Sequence, residues 1–456
     1  MRCRIYEMAL VIIFALGLIF SSGVQSLAHT SIDAGDVDPT NETHMSNFLD
    51  SIITYYNDVV SSNITDTDAL NREITIYGMD IRTNETYKDD DVYSIGINES
   101  NIITNHSKYP DLLGWEFKPD AMNSDVASTI KDLTDKSKYH KSTPPQLPVD
   151  QSTIGDNYCV SYGEVSKQAC TAKVWSPSGP VSTIVGIDHN ENDPAFTKPD
   201  CSEFKLDISA KDVFEDPTDE NLVAYVEGII NEAQKLVEKI TSAQIMESMR
   251  KGETPSDLQK PGSRAAMELE IAIRSEIFAK TYCLRSGDFN YKNIYGFIME
   301  AAPTNPTVLI NGNDPNLNGS NLDLNDTRLS GQQNIAKLFS EKLGDLKNGM
   351  SAYVNYHWDD PENEDDDVEN FFRDKNVPGT SCKRSYIEVA NLNELVQGAP
   401  ESLYIFGSGT YPGDDACDED GGCAIAGTGH TSQDALLNLF LMASLLFSVV
   451  FLRRRM

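Results

Sequence analysis

The chain lacks the short motifs that announce the commonest enzyme classes. Its 456 residues contain no GxSxG, HExxH, GxGxxG or GxxxxGK[ST]. A nucleophile elbow, a zincin helix, a dinucleotide fingerprint and a P-loop are therefore excluded. There is no CxxC, and no histidine lies at ligand spacing from a cysteine pair, which removes the usual zinc frameworks. Basic residues are scarce: 37 Lys and Arg stand against 70 Asp and Glu, a formal net charge of -33. A phosphate-binding surface needs positive potential, so nucleic acid is not an expected partner. Six of the eight cysteines fall between Cys159 and Cys417, too few to staple a miniature fold. No cofactor, metal or catalytic group is implied. Paired acids of the glycosidase kind cannot be picked out by spacing, because acids are everywhere; a secreted hydrolase is the third-ranked reading.

The two ends of the chain carry its longest apolar runs. In residues 1–26, Arg2 and Arg4 precede an apolar stretch from Met8 to Phe20 and then small and polar residues. This reads as a signal peptide cleaved near Ser26, with an uncleaved anchor as the alternative. Residues 435–452 are apolar and run into Arg453, Arg454 and Arg455 in the basic tip 453–456. Eighteen such residues can just span a bilayer. The acidic, Gly-rich segment 414–434 before them holds Gly421, Gly422 and Cys423. The tail resembles bacterial sorting signals that combine a Gly-Cys motif, one membrane helix and an arginine tip. That resemblance implies an intramembrane protease and processing or lipidation at Cys423. An ordinary C-terminal anchor is the alternative. On either reading the protein is exported and held at the cell surface by its C-terminus.

Between the ends, apolar positions at Leu222, Val223, Val226, Ile229, Ile230, Ala233, Leu236, Val237 and Ile240 make one helical stripe. Aromatic and β-branched runs separated by Asn, Gly, Pro and Asp follow, which is the pattern of an antiparallel sheet. Four segments there, "IYGFIMEAAPTNPTVLINGNDPNLNGSNL", "GMSAYVNYHWDDP", "CKRSYIEVANL" and "YIFGSGTY", resemble in order and spacing the extracellular Cache sensor fold. The resemblance covers about residues 218–413. It departs at Asn311, where the family has His, and in the acidic insert "PENEDDDVENFFRD" after Trp358. That insert could offer oxygen ligands to calcium, but it lacks the calcium-loop pattern and reads as a solvated face.

A diverged internal repeat precedes it. "DDVYSIGINESNIITNHSKYPDLLGWEF" sets Tyr93 over Tyr295, Asn105 over Asn311, Pro110 near Pro315 and Gly114 near Gly319. The expected fold class is α+β: two PAS-like Cache modules, each a long helix packed on an antiparallel sheet, with a signal peptide and a C-terminal transmembrane helix. The first module takes 42–190, a linker 191–217, and the second 218–413.

Alternation along the later strands puts Tyr356 and Trp358 on one face, with His357 on the other. Tyr295 and Phe297 share a face, and Arg384 and Tyr386 share one with Cys382. The resemblance implies a ligand on the inner sheet face, walled by aromatics. Tyr295, Tyr356, Trp358, Arg384 and Tyr386 are the candidates, with Arg384 clamping a small carboxylate. A packed core with a solvated Arg384 is the bland reading. Cys159 and Cys170 flank a turn-prone "GEVSKQ" and are expected to bridge. Cys283 and Cys382 are candidates for a second bridge, leaving Cys201 with Cys417. The function expected from these features is an extracytoplasmic sensor of a small organic ligand (an amino acid, carboxylate or amine), anchored at the membrane and passing its signal to a separate receptor. The alternative is a structural or adhesive surface protein.

Overall fold

The computed structural model describes residues 32–62, 77–89, 91–122, 124–142, 151–163, 165–176, 179–190, 192–258, 264–302, 306–318, 335–360, 380–396, 402–413 and Cys417. Two open sheets, each sandwiched between helices, organise these residues.

The first begins with helix α1, Glu42–Ser62. Asn41 caps it, its Oδ1 accepting the amides of Thr43 (2.9 Å) and His44 (3.3 Å). Met45, Phe48, Leu49, Ile52, Ile53 and Tyr56 recur at spacings of three and four and are buried on one side. That stripe packs on strands β4 (Lys167–Ser176) and β5 (Gly179–Val185). With β1 (Ser94–Asn98), β2 (Ile103–His106) and β3 (Tyr158–Tyr162) these form an antiparallel run in the order β2-β1-β5-β4-β3. Helix α2, Asp125–Lys136, buries Ala127, Ile130 and Leu133 against the opposite side.

The second begins with α3, Asp219–Arg250, capped by the Thr218 hydroxyl, which accepts the Asn221 amide at 3.3 Å. Leu222, Tyr225, Val226, Ile229, Ile230, Ala233, Leu236 and Ile240 are buried along it. Helix α4, Arg264–Thr281, lies against α3. The sheet comprises β6 (Phe297–Glu300), β7 (Val308–Asn311), β8 (Ser351–Asp359), β9 (Thr380–Asn391) and β10 (Leu403–Thr410). Its order is β7-β6-β10-β9-β8, antiparallel throughout. Strand for strand this is the order of the antiparallel run in the first sheet. A short helix, α5 (Ile335–Leu343), covers the face that α3 does not, through Ile335, Phe339 and Leu343.

Equivalent turns bring the two units together. The 3-10 turn Pro110–Leu112 follows β2, the turn Pro315–Leu317 follows β7, and the two touch.

Several expectations are corrected. The first sheet is mixed, not purely antiparallel: the short strands Tyr139–His140 and Ile154–Gly155 join it in parallel, Tyr139 pairing with Lys173 on the part of β4 that β3 leaves open. Of the three disulfides among the described residues, Cys159–Cys170 closes the β3–β4 hairpin, where the two residues are direct cross-strand partners. The others are Cys201–Cys283 and Cys382–Cys417, and not Cys283 with Cys382. Cys382 sits on β9 beside the β10 end of the sheet, whereas Cys283 lies at the end of α4 next to the segment holding Cys201.

The membrane part of the expected fold class is also corrected. Among the described residues no helix is long and apolar enough to cross a membrane. The longest, α3, alternates its apolar stripe with Glu227, Glu232, Lys235, Glu238 and Lys239. The proposed signal peptide 1–26, Cys423 and the apolar run 435–452 lie outside the described residues. The fold is α+β with two open sheets, and a membrane partner, surface anchoring and the extracytoplasmic sensor built on them are withdrawn.

Candidate functional site

The face of the second sheet under α5 is built by parity. In the β8–β9 ladder Tyr356 stands opposite Lys383, His357 opposite Cys382, and Asn355 opposite Arg384. Partners across a ladder share a face, and neighbours along a strand alternate. Tyr356 and Trp358 therefore share their face with Lys383, while Arg384 points to the other.

The consequences are large for both cations. Lys383 is only 1% exposed. Its ammonium lies 3.7 Å from the centroid of the Tyr295 ring and 5.2 Å from that of Tyr411. The negative faces of these rings stabilise a desolvated cation by about 2 kcal/mol. Arg384 is 39% exposed on the α3 side, paired with Asp219 at 2.7 Å and stacked 4.8 Å over Tyr353. Tyr386 also belongs to the α3 core and donates its hydroxyl to Glu388 (2.8 Å). Of the expected site residues, Tyr295, Tyr356 and Trp358 come together; Arg384 and Tyr386 stand on the opposite face. The cation beside the aromatic wall is Lys383, one position away from the residue the sequence suggested.

Lys383 and Asn311 are the polar ends of a cavity whose walls are Tyr295, Phe297, Phe339, Tyr356 and Trp358. With its open mouth the cavity encloses about 390 Å³, but only about 20 Å³ admits the centre of a water-sized sphere. That is room for one water. The walls are tied to each other. The Trp358 indole donates to the Tyr295 hydroxyl (2.6 Å), and the Tyr356 hydroxyl is hydrogen-bonded to Ser385 (2.9 Å). Burial pushes the Tyr356 phenol up, so it stays a neutral hydroxyl. Phe297 stacks on Phe339 with ring centroids 5.6 Å apart, and Phe339 meets Tyr356 edge-on at 5.4 Å. Gly407 makes room for Phe297: a Cβ there would lie 2.3 Å from the ring.

Asn311, 3% exposed, closes the β7 end. Its backbone amide donates to the Asn318 side-chain oxygen (2.7 Å), and its own Oδ1 accepts the amides of Asn313 and Asp314 (2.9 Å each). Two accepted bonds fix which end of the amide is oxygen. Its NH2 group has no protein acceptor among the described residues. The sequence marked Asn311 as a departure from a histidine and as the counterpart of Asn105 in the repeat. It carried no signal for Lys383 or for Phe339.

Among the described residues no group of three or more His, Cys, Asp or Glu side chains is placed to hold a metal. The acidic insert after Trp358, residues 361–374, lies outside them. In comparisons with known proteins, no family model matches the chain, and no curated protein or solved structure is similar to it.

Proposed function

We propose that the second sheet unit binds a small organic anion, with its charged head at Lys383 and Asn311 and its apolar body between the aromatic walls. The reading is for capture, not turnover. The carrying observation is that Asn311 and Lys383, side chains that end in donors, line the same apolar cavity, and that the Asn311 NH2 group has no protein acceptor among the described residues. A site whose polar groups are donors favours a ligand that only accepts. The hydroxyls of Tyr356 and Tyr295 are engaged with neighbours and serve as wall. The four-segment resemblance to Cache domains supports a ligand at this face, and kinship with them is part of the proposal. The small free volume means that Phe339 or Phe297 must turn aside for a ligand to enter. It also favours a second reading, a packed core with no ligand.

One experiment separates them. Thermal unfolding is followed with benzoate, benzyl alcohol and benzylamine at fixed ionic strength. A saturable rise in Tm with benzoate alone, lost in Lys383→Met, supports the anion site. No rise with benzoate, or an equal rise with the amine, sinks it in favour of the packed core.

A further inference from the structure

Two arginines at equivalent places in the repeat cross the junction in opposite directions. Arg82 precedes Tyr93, and Arg285 precedes Tyr295, by nearly the same number of residues. Both are buried. Arg285, from the second unit, donates to the carbonyl oxygens of Asp111 (3.1 Å) and Leu113 (2.9 Å) in the first. Arg82, from the first unit, donates to the carbonyl oxygen of Asn318 in the second. Leu113 and Asn318 are the residues that terminate the two equivalent 3-10 turns. Asp111 lies 3.6 Å from Arg285, while Asp80 and Asp314 supply the negative charge nearest Arg82.

The two arginines differ in what lies behind the carbonyl they hold. Behind Asn318 is the candidate site. The Asn318 side chain accepts the backbone amide of Asn311, and Asn311 lines the cavity, its NH2 group having no protein acceptor among the described residues. Arg82 also donates to the side-chain oxygen of Asn105 (3.3 Å), which occupies in the first repeat the place of Asn311 in the second. Arg82 is thus bonded to the Asn of its own unit and, through Asn318, to the Asn of the other. Among the described residues no such hydrogen-bonded path leads from Arg285 to the cavity.

We propose that Arg82 is a positioning residue for the cavity of the second unit, so that the site is assembled by both units together. It fixes Asn318, Asn318 fixes the β7 end, and that end sets where the Asn311 donor stands relative to Lys383. This rests on the anion-binding reading for its ligand readout, but not for its structural one. A buried guanidinium on a backbone carbonyl is a directional strut, and its five donors hold a plane that a lysine would not reproduce.

The test compares Arg82→Met with Arg285→Met in the full chain, using two readouts. The first is benzoate affinity by calorimetry. Arg82→Met is expected to weaken it about ten-fold and Arg285→Met by less than two-fold, since both lose a junction contact but only Arg82 leads to Asn311. The second is amide hydrogen exchange at Asn311, which needs no ligand. It accelerates at least ten-fold in Arg82→Met relative to Ile310 and is unchanged in Arg285→Met. If benzoate does not bind the wild-type chain, the binding proposal fails and exchange alone judges Arg82. Equal effects of the two variants in both readouts, or an undisturbed Asn311 amide in a folded Arg82→Met protein, overturn the proposal.

Discussion

Lys383 stands directly across the β8–β9 ladder from Tyr356, with its ammonium against the face of Tyr295. An ammonium loses its water when it is buried to this degree, and that costs several kcal/mol unless other groups replace the water. Aromatic faces replace part of it. The residue next to it in sequence, Arg384, keeps its water and a partner at the surface. Adjacent cations thus stand on opposite faces, one buried and one at the surface, because a strand alternates.

The first prediction follows from that contrast. Lys383→Met should abolish stabilisation by benzoate in thermal-shift titrations. Arg384→Ala should leave the benzoate response unchanged and cost less than about 1 kcal/mol in urea melts, since an exposed ion pair contributes little. A loss of the benzoate response in Arg384→Ala would return the ligand to the α3 face.

Gly407→Ala is expected to damage the cavity wall from behind. The new Cβ would meet two carbons of Phe297 at 2.3 and 2.8 Å and a methyl of Ile387 at 2.9 Å. Phe297 must then turn toward the cavity or β10 must shift. Overpacking of this kind costs about 1 to 3 kcal/mol. Urea unfolding should record that loss, together with a weakened benzoate response.

The disulfides should rank by the length of chain they close. Cys201–Cys283 spans 82 residues and Cys159–Cys170 only 11. The chain-entropy estimate gives about 4 to 5 kcal/mol for the first and about 3 kcal/mol for the second. Replacing Cys201 and Cys283 by Ser should lower the unfolding midpoint more than replacing Cys159 and Cys170. Non-reducing peptide mapping should recover both pairs and Cys382 with Cys417.

Acid should loosen the first unit through His106 and His189. The Tyr109 amide donates to His106 Nδ1 (3.0 Å), so the ring proton of His106 is on Nε2 and is given to His189 Nε2 (2.8 Å). His189 in turn donates from Nδ1 to the Asn190 carbonyl (2.9 Å). Neither ring can take a second proton without breaking this chain. Burial holds His106 well below the usual histidine range and lowers His189, with Lys108 adding to both and Asp188 and Asp193 opposing it at His189. Above the unfolded value of about 6.5, folded and unfolded chains are both neutral at these rings, and stability does not depend on their titration. Below it the unfolded chain takes up protons that the fold refuses. Stability then falls with falling pH by up to about 1.4 kcal/mol per pH unit for each ring, until the folded values are reached. Asp80 and Glu388, whose carboxyls burial pushes up, act in the opposite sense. Urea melts between pH 7 and 5.5 should show a decline that is reduced in the His106→Asn, His189→Asn double variant.

Periodicity carried much of the architecture and little of the site. The stripes on α1 and α3 are legible because a helix repeats its buried face every three or four residues, and Leu222 to Ile240 obey that spacing. The hairpin of Cys159 and Cys170 is legible because its turn is short. Alternation correctly grouped Tyr356 with Trp358 and set His357 apart. It could not relate that strand to the next. Whether Lys383 or Arg384 joins Tyr356 depends on the parity of the β8–β9 register, and the long acidic connection after Trp358 hides the turn that would fix it. A shift of one residue exchanges the two cations. The path from Arg82 to Asn311 is less legible still, because its links are a side chain on a carbonyl and an amide on a side chain, and neither leaves a pattern in composition.

The arginine clasp at the junction has the form of an isologous contact, with equivalent residues meeting equivalent residues in both directions. Between separate chains such a contact comes apart on dilution, because each encounter must find its partner anew. Here one chain supplies both halves, so each half sees the other at a fixed effective concentration, whatever the concentration of the protein. A few hydrogen bonds to Leu113, Asp111 and Asn318 can then hold the two units in register, where a free dimer resting on the same bonds would need a much larger interface.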